Sequence, residues 1–258
     1  LVGPVQPVLA DMIEMLNQMD IEPDQEALKA WWETINGWRE KHGLWTGDRY
    51  TRRDQIMPQD VIRVLYEVTN GEAFICSDVG QHQMFAAQYY KYDKPRQWIN
   101  SGGLGTMGFG LPAAMGVQLA HPERAVAVVT GEGSIQMCIE ELSTCTQYNM
   151  PVKIINLNNA ALGMVKQWQD MQYGGRYAGS TYSDSLPDFV KLAEAYGHVG
   201  MKVTDPTHLK TKMEECFSMK DRVVFMDIYV DPEEHVYPMH IPTGSMKDMV
   251  LSKTERTK

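Results

Sequence analysis

The sequence has no apolar run long enough to span a bilayer and no signal-peptide pattern, so a cytoplasmic protein with no membrane partner is expected. Cysteine is scarce. Cys76, Cys138, Cys145 and Cys216 are the only four in 258 residues, and they lack the paired spacing of a metal site. Three of them fall in apolar strands or helices, which points to buried free thiols in a reducing compartment. Basic residues are outnumbered, 24 Lys and Arg against 33 Asp and Glu, and the net charge of −9 argues against nucleic acid or an anionic membrane as a general partner. An anionic cofactor would need local help from helix termini and metal. Internal repeats and low-complexity tracts are absent too. What remains, 43% hydrophobic and 22% charged, suits a globular chain with one substantial core and an extra lobe. The chain opens at Leu1 inside what reads as running sequence, and a piece of a longer protein is expected.

The rest is organised around residues 131–159. Residues 124–130, Arg-Ala-Val-Ala-Val-Val-Thr, are short, apolar and β-branched, as in a buried parallel strand. Gly131-Glu132-Gly133 follows, an acidic residue where the chain turns sharply and lets something approach its backbone. Ser134 is placed to cap the next helix, whose apolar positions Ile135, Cys138, Ile139, Leu142 and Cys145 recur at helical spacing. Asn149-Met-Pro151 ends it, 152–157 makes another strand, and Asn158-Asn159 sits at that strand's carboxyl end. A carboxylate and an amide thus end two successive strands of one β-α-β unit, where open α/β sheets bind ligands. Carboxylate, amide and backbone oxygens suit Mg²⁺ that keeps a phosphate in its shell, and the N–H groups after Gly133 can take phosphate oxygens. The spacing resembles the thiamine-diphosphate (ThDP) fingerprint, Gly-Asp-Gly followed by Asn-Asn, with 24 residues between Gly133 and Asn158. Glu132 stands where that fingerprint usually has Asp. The bland alternative is a glycine turn with an exposed acid.

Before this unit, residues 1–50 suggest two amphipathic helices, 7–19 and 24–41. The second carries Trp31, Trp32 and Trp38 on a packing face, and 43–55 is a polar linker. From Met57 onward, helices at 58–69, 80–88, 111–120, 160–173, 186–196 and 206–219 alternate with strands at 73–77, 96–100, 198–203 and 223–230. With the two central strands this predicts a doubly wound, mostly parallel six-stranded α/β sheet with helices on both faces. Residues 235–258 read as an extended tail.

Two more strand ends carry chemistry. Asp78-Val79-Gly80-Gln81-His82 offers backbone N–H groups and the Gln81 and His82 side chains to phosphate, although a lone His at a helix start is equally a cap or surface residue. The loop 102–110 holds five glycines in nine residues. A GxGxxG dinucleotide site is the rival there, weakened because no acidic residue ends a following strand at the required distance. A loop lying flat against a ring, with Met107 as the bulky side chain in reach, fits better. Met164 and Trp168, four apart, share a helix face that serves as core or as the wall of a substrate channel.

Together, Asp78-Val-Gly-Gln-His-Gln-Met84, Ser101-Gly-Gly-Leu-Gly-Thr-Met-Gly108, Leu157-Asn-Asn159, Leu162-Gly-Met-Val-Lys-Gln-Trp168, His235-Val-Tyr-Pro-Met239 and Leu251-Ser-Lys-Thr-Glu-Arg-Thr257 resemble the large catalytic subunit of acetohydroxyacid (acetolactate) synthase. The ending is closest to bacterial valine-sensitive isoforms. The resemblance covers nearly everything from Met57.

The resemblance implies Mg²⁺ held by Glu132, Asn159 and the Ala161 carbonyl. It implies diphosphate contacts from Val79, Gly80, Gln81, His82, Gly133 and Ser134, with Gly131 and Met164 also against the cofactor. Gly105 would accept a hydrogen bond from the aminopyrimidine, and Met107 would wedge the cofactor into a V. Met164, Val165 and Trp168 would line the channel for the second 2-ketoacid. In the family the cofactor lies between domains of different subunits, so a homodimer or tetramer is implied, with FAD in the full-length enzyme and a small regulatory subunit as a possible partner. Pyruvate and 2-ketobutyrate are the implied substrates. The pyrimidine-binding domain and its glutamate are missing, as is most of the FAD-binding domain, of which 1–50 resembles only the end and the linker. The expected organisation is therefore 1–50 as that remnant, 51–234 as the diphosphate-binding domain and 235–258 as tail, a fragment inactive by itself. The alternatives are a non-catalytic Mg-ThDP-binding or dimerisation module, or another ThDP-dependent decarboxylase or oxidase.

Overall fold

Six apolar runs pair as parallel strands: β1 (Phe74–Ser77), β2 (Trp98–Asn100), β3 (Val126–Thr130), β4 (Lys153–Asn158), β5 (Val199–Val203) and β6 (Val224–Tyr229). They are seen in a computed structural model that describes residues 2–19, 21–42, 54–182, 184–241 and 244–252. The order is β2-β1-β3-β4-β6-β5. Every residue of β3 and β4 is buried, which is why these runs read as continuously apolar rather than alternating. The chain leaves β1 for β2 on one side and returns with β3 on the other. The winding therefore reverses between β1 and β3, and open α/β sheets form their ligand crevice at such a reversal.

The chain divides into two units, Leu1–Arg49 and Tyr50–Lys258. The first holds α1 (Val5–Gln18) and α2 (Gln25–His42). No residue of α1 is buried, and Trp31, Trp32 and Trp38 are about half exposed within α2. Trp31 meets Trp38 edge to face at 5.6 Å, and Arg39 lies 5.7 Å over the Trp32 ring. Most of the expected linker (43–53) and the end of the Leu251–Thr257 motif (253–257) lie outside the described residues.

In the second unit the sheet is surrounded by α3 (Pro58–Val68), α4 (Gln81–Tyr89), α5 (Gly110–Ala120), α6 (Glu132–Ile135), α7 (Glu141–Gln147), α8 (Gly163–Gln172), α9 (Phe189–Ala195) and α10 (Leu209–Ser218). The core runs through Val126, Val128, Ile154 and Phe225 in the strands to Leu111, Leu142 and Phe189 in the helices, with Phe189 stacked on Phe225 at 5.5 Å. Burying each such side chain contributes about 1.5–3 kcal/mol. Cys76, Cys145 and Cys216 are free and buried, and burial pushes each thiol up to about 12, so they are packing residues.

Three local expectations are corrected. The helix after β3 begins at Glu132 rather than beyond Ser134. It breaks after Ile135 into a 3₁₀ turn at Gln136–Cys138, before α7. The Gln136 amide donates to the Glu132 carbonyl at 2.7 Å, taking the acceptor a continuing helix would use. Ser134 does not cap; its hydroxyl donates to the Val79 carbonyl at 3.0 Å and ties the two crevice loops together. Residues 160–162 are not helical. Asn158 Oδ1 accepts from the Ala160 N–H and Asn159 Oδ1 from the Ala161 N–H, each at 3.2 Å, with Ala160 at φ 54°; these side-chain turns hold the chain out of α8 until Gly163. Finally, the start of the expected tail is packed in, with Val236, Tyr237 and Met239 buried, while a 3₁₀ turn at Met246–Asp248 is its one described helical element.

Candidate active site

Asp78 directly follows β1 and anchors the crevice. Its Oδ1 accepts the Gly108 N–H at 2.7 Å and the Val79 N–H at 3.1 Å, and its Oδ2 accepts the Thr130 hydroxyl at 3.2 Å. One fully buried carboxylate thus joins β1, β3 and the glycine-rich loop, and burial holds its pKa above the ordinary carboxylate value. Asp78 has no place among the residues expected to bind the cofactor, because its neighbours lie 30 and 52 positions away.

His82 is neither a helix cap nor a surface residue. Its ring is buried beside Gly80 and Gly131, where an added Cβ would come within 2.8 and 2.9 Å of ring atoms, so a side chain at either position would have to displace the ring. Burial pulls the imidazole down to about 3, making it neutral at physiological pH, and its Nε2 has no hydrogen-bond partner among the described residues. An unsatisfied buried nitrogen on the wall of a cavity is a ready contact for a polar ligand.

Glu132 lies at the start of α6 with 1% of its surface exposed. Its Oε1 accepts the Ala161 N–H at 2.6 Å, and the same N–H lies 3.2 Å from Asn159 Oδ1, so the carboxylate and the amide oxygen converge on one point from β3 and β4. Burial raises the Glu132 pKa to about 7 despite backbone N–H donors, and the Asp227 carboxylate adds to the rise by repulsion. Among the described residues no Lys or Arg pairs with it, and no group of three His, Cys, Asp or Glu could hold a metal by itself. A buried carboxylate beside an amide oxygen, with no cationic side chain to neutralise it, suits a hard divalent cation completed by backbone and ligand oxygens. The residues present fit Mg²⁺.

These groups open onto one cavity of about 320 Å³. Val79, Gly80, Gln81, His82, Gly105, Met107, Gly131, Glu132, Gly133, Ser134, Asn159, Ala161, Met164 and Val165 all line it. Trp168 does not; it is half-buried elsewhere on α8, whose buried residues are the polar Lys166 and Gln167. Further wall residues were not anticipated as site residues, among them Leu157, Leu162 and Gly163 from β4 and the loop into α8. An antiparallel bridge, Ala161 to Thr181, with the Leu162 N–H on the Ser180 carbonyl at 2.7 Å, clamps the loop that carries Ala161. Nothing in the periodicity of 174–185 signals that clamp. No described helix is long and apolar enough to cross a membrane.

The profile of the thiamine pyrophosphate enzyme C-terminal TPP-binding domain matches residues 78–228, which begin at Asp78 and end in β6. The chain is 55% identical over 260 residues to the acetolactate synthase isozyme 3 large subunit of Escherichia coli (strain K12), covering 100% of this chain and 44% of that protein. It is 54% identical over 256 residues to the acetolactate synthase large subunit of Haemophilus influenzae, again 44% of that protein. Identity to an acetolactate synthase of Mycobacterium bovis is 40% over 253 residues, 40% of its length. The chain therefore spans less than half the length of the curated relatives it matches.

Proposed function

The chain belongs to the thiamine pyrophosphate enzymes through their C-terminal TPP-binding domain, and on that premise we propose that it carries the diphosphate-and-metal half of an acetolactate synthase active site. The observation that carries this reading is the buried Glu132 carboxylate, converging with the Asn159 oxygen on the Ala161 N–H at the β1/β3 crevice. Glu132, Asn159 and the Ala161 carbonyl would hold Mg²⁺. The N–H groups of 79–82 and 133–134, with the His82 side chain, would hold the diphosphate, whose charge Mg²⁺ offsets. The Gln81 side chain, expected to join them, has its nitrogen turned to Gln167 and His235 instead. Gly105 and Met107 would meet the aminopyrimidine, and Met164 and Val165 would face the substrates, with Trp168 further along α8. When bound, thiamine diphosphate supplies an electron sink that lets pyruvate lose CO₂ and join its two-carbon unit to pyruvate or 2-ketobutyrate.

The protein's part is positioning. Asp78 sets the height of the glycine-rich loop and the 180–182 clamp sets that of Ala161. The remaining elements of the reading are a cytoplasmic enzyme of branched-chain amino acid biosynthesis, a homodimer or tetramer, a small regulatory subunit, and FAD in the rest of the subunit.

Calorimetric titration of thiamine diphosphate into this chain tests the reading. Saturable binding with Mg²⁺, lost in EDTA, is expected. Equal binding in both buffers would remove the metal site, and no binding in either would remove the reading for this chain. The wall itself gives a second test. A Cβ at Gly163 would lie 2.2 Å from Gln81 Oε1 and 2.6 Å from Asn159 Nδ2. Gly163→Ala must therefore part these two side chains, and a roughly tenfold loss of affinity is expected, about 1.4 kcal/mol. Parental affinity in that variant would show that the Gln81–Asn159 contact does not matter.

A further inference from the structure

Gln167 is wholly buried on α8, one turn below the cavity, and has no part in the site described above. Its amide seats on the peptide groups of Val236, which is also wholly buried. Gln167 Oε1 accepts the Val236 N–H at 2.9 Å, and Gln167 Nε2 donates to the Val236 carbonyl at 2.9 Å. The oxygen and nitrogen ends of an amide have nearly the same shape, so the hydrogen-bond network decides which end points where. A backbone N–H and C=O cannot exchange roles, and Gln167 is therefore held in one orientation.

The constraint propagates. Gln167 Oε1 also accepts from Gln81 Nε2 at 2.8 Å, which directs the nitrogen end of Gln81 towards α8. The Gln81 nitrogen also meets His235 Nδ1 at 3.3 Å, and His235 Nε2 lies 2.8 Å from the Asp170 carboxylate. A carboxylate takes an N–H, so the neutral imidazole carries its proton on Nε2 and offers the Nδ1 lone pair, again to the nitrogen end of Gln81. The oxygen end of Gln81 is left facing Asn159, whose Nδ2 donates to it at 3.1 Å. Asn159 then has its oxygen turned to Glu132 and the Ala161 N–H, where a cation would take it.

We propose that Gln167 is a positioning residue for the metal site, and that the carboxyl-terminal segment, through the Val236 peptide groups, Gln167 and Gln81, sets which end of the Asn159 amide faces the metal. This rests on the reading of Glu132 and Asn159 as metal ligands. Reversal of any link would offer Mg²⁺ an NH₂ group in place of an oxygen, and groups behind a metal ligand are commonly worth roughly 10–100-fold in metal affinity.

A double-mutant cycle with Asn159→Asp is the test, because an aspartate presents oxygen at both ends and makes orientation irrelevant. The half-saturating Mg²⁺ concentration is measured by calorimetry at fixed thiamine diphosphate for parent, Gln167→Met, Asn159→Asp and the double variant. Gln167→Met should raise it roughly 10–100-fold on the Asn159 background and less than about threefold on the Asp background. Equal shifts on both backgrounds would make Gln167 a packing residue, and no shift on Asn159 would exclude it altogether; either result overturns the proposal. If Gln167→Met shows no cooperative thermal transition, Gln81→Met cuts the chain one link further on and runs through the same cycle. If the parent does not bind thiamine diphosphate, the functional reading fails separately, and hydrogen exchange at the Gln81 and Asn159 side-chain NH₂ groups decides. Protection in the parent that is lost in Gln167→Met supports the proposal, and fast exchange in the parent overturns it.

Discussion

Replacing Glu132 with alanine is expected to lower the Mg²⁺-dependent affinity for thiamine diphosphate by about a hundredfold or more, since even partners behind a metal ligand are worth 10–100-fold. The isosteric Glu132→Gln separates two effects of this residue. Without metal the carboxylate is a liability: its pKa is about 7 in the folded protein against 4.5 unfolded, because burial disfavours the charge. The folded state then holds more protons between those values. Stability is highest below about pH 4.5, falls as pH rises towards 7, and levels off above it, by about 3 kcal/mol for this group. Glutamine keeps the oxygen that accepts the Ala161 N–H and removes the charge, but sets an NH₂ against the backbone N–H groups of Glu132 and Asn159 that the carboxylate accepts from. Those opposed terms leave a net gain of about 1 kcal/mol in EDTA at pH 8, or a melting point higher by about 2–4 °C. Saturating Mg²⁺ and thiamine diphosphate should reverse the order, because only the parent gains about 2.7 kcal/mol at a hundred times its Kd. Thermal melts of both proteins in both buffers check this. Parental affinity in Glu132→Ala, or the same melting order in both buffers, would take Glu132 out of the metal shell. Glu132→Asp, one methylene shorter, then reports whether the cavity is cut to the length of glutamate.

The alternation of strands and helices was legible because the central strands are buried on both faces and β-branched, so each announces itself without its neighbours. The crevice followed from the same pattern, and with it the glycine-flanked Glu132, the Asn158-Asn159 pair and the Gly80–His82 turn, all at strand ends. What could not be read depends on side chains that bond to distant or local backbone. Helical periodicity runs unbroken through Ile135, Ile139 and Leu142, yet Gln136 takes the Glu132 carbonyl and breaks the helix. Residues 160–173 look helical, yet two asparagine turns delay the helix to Gly163. Spacing pairs Met164 with Trp168, but α8 buries Lys166 and Gln167 instead, and Met164 alone of that pair lines the cavity. The apolar rule failed on α8 because its inward face is a polar network reaching 154 residues from Gln81 to His235. Asp78 was visible as the first residue of a motif, but not as the bond between three elements.

Asp78→Ala is expected to destabilise the protein by about 3 kcal/mol and to loosen the glycine-rich loop. The substitution strands the Gly108 and Val79 N–H groups and the Thr130 hydroxyl, all of which turn to this carboxylate. A buried donor left without an acceptor costs about 1–3 kcal/mol. Part of the loss is returned, because Thr130 also lies 3.3 Å from the Gly131 carbonyl and the buried charge disappears. Asp78→Asn distinguishes hydrogen bonding from charge. Its oxygen can keep the Gly108 and Val79 N–H groups while its nitrogen donates to Thr130, whose hydroxyl is able to accept, so stability within about 1 kcal/mol of the parent is expected. Gly105 and Met107 reach the cavity on the same loop, three and one residues before Gly108. In Asp78→Ala, affinity for thiamine diphosphate with Mg²⁺ should therefore fall roughly tenfold or more, about 1.4 kcal/mol, even at temperatures where the variant remains folded. In Asp78→Asn it should not. Denaturant titrations give the stability and calorimetry the affinity. An alanine variant as stable as the parent would mean that the loop is held by its own turns. One that is destabilised yet binds normally would mean that Asp78 serves the fold and leaves the height of the loop to others.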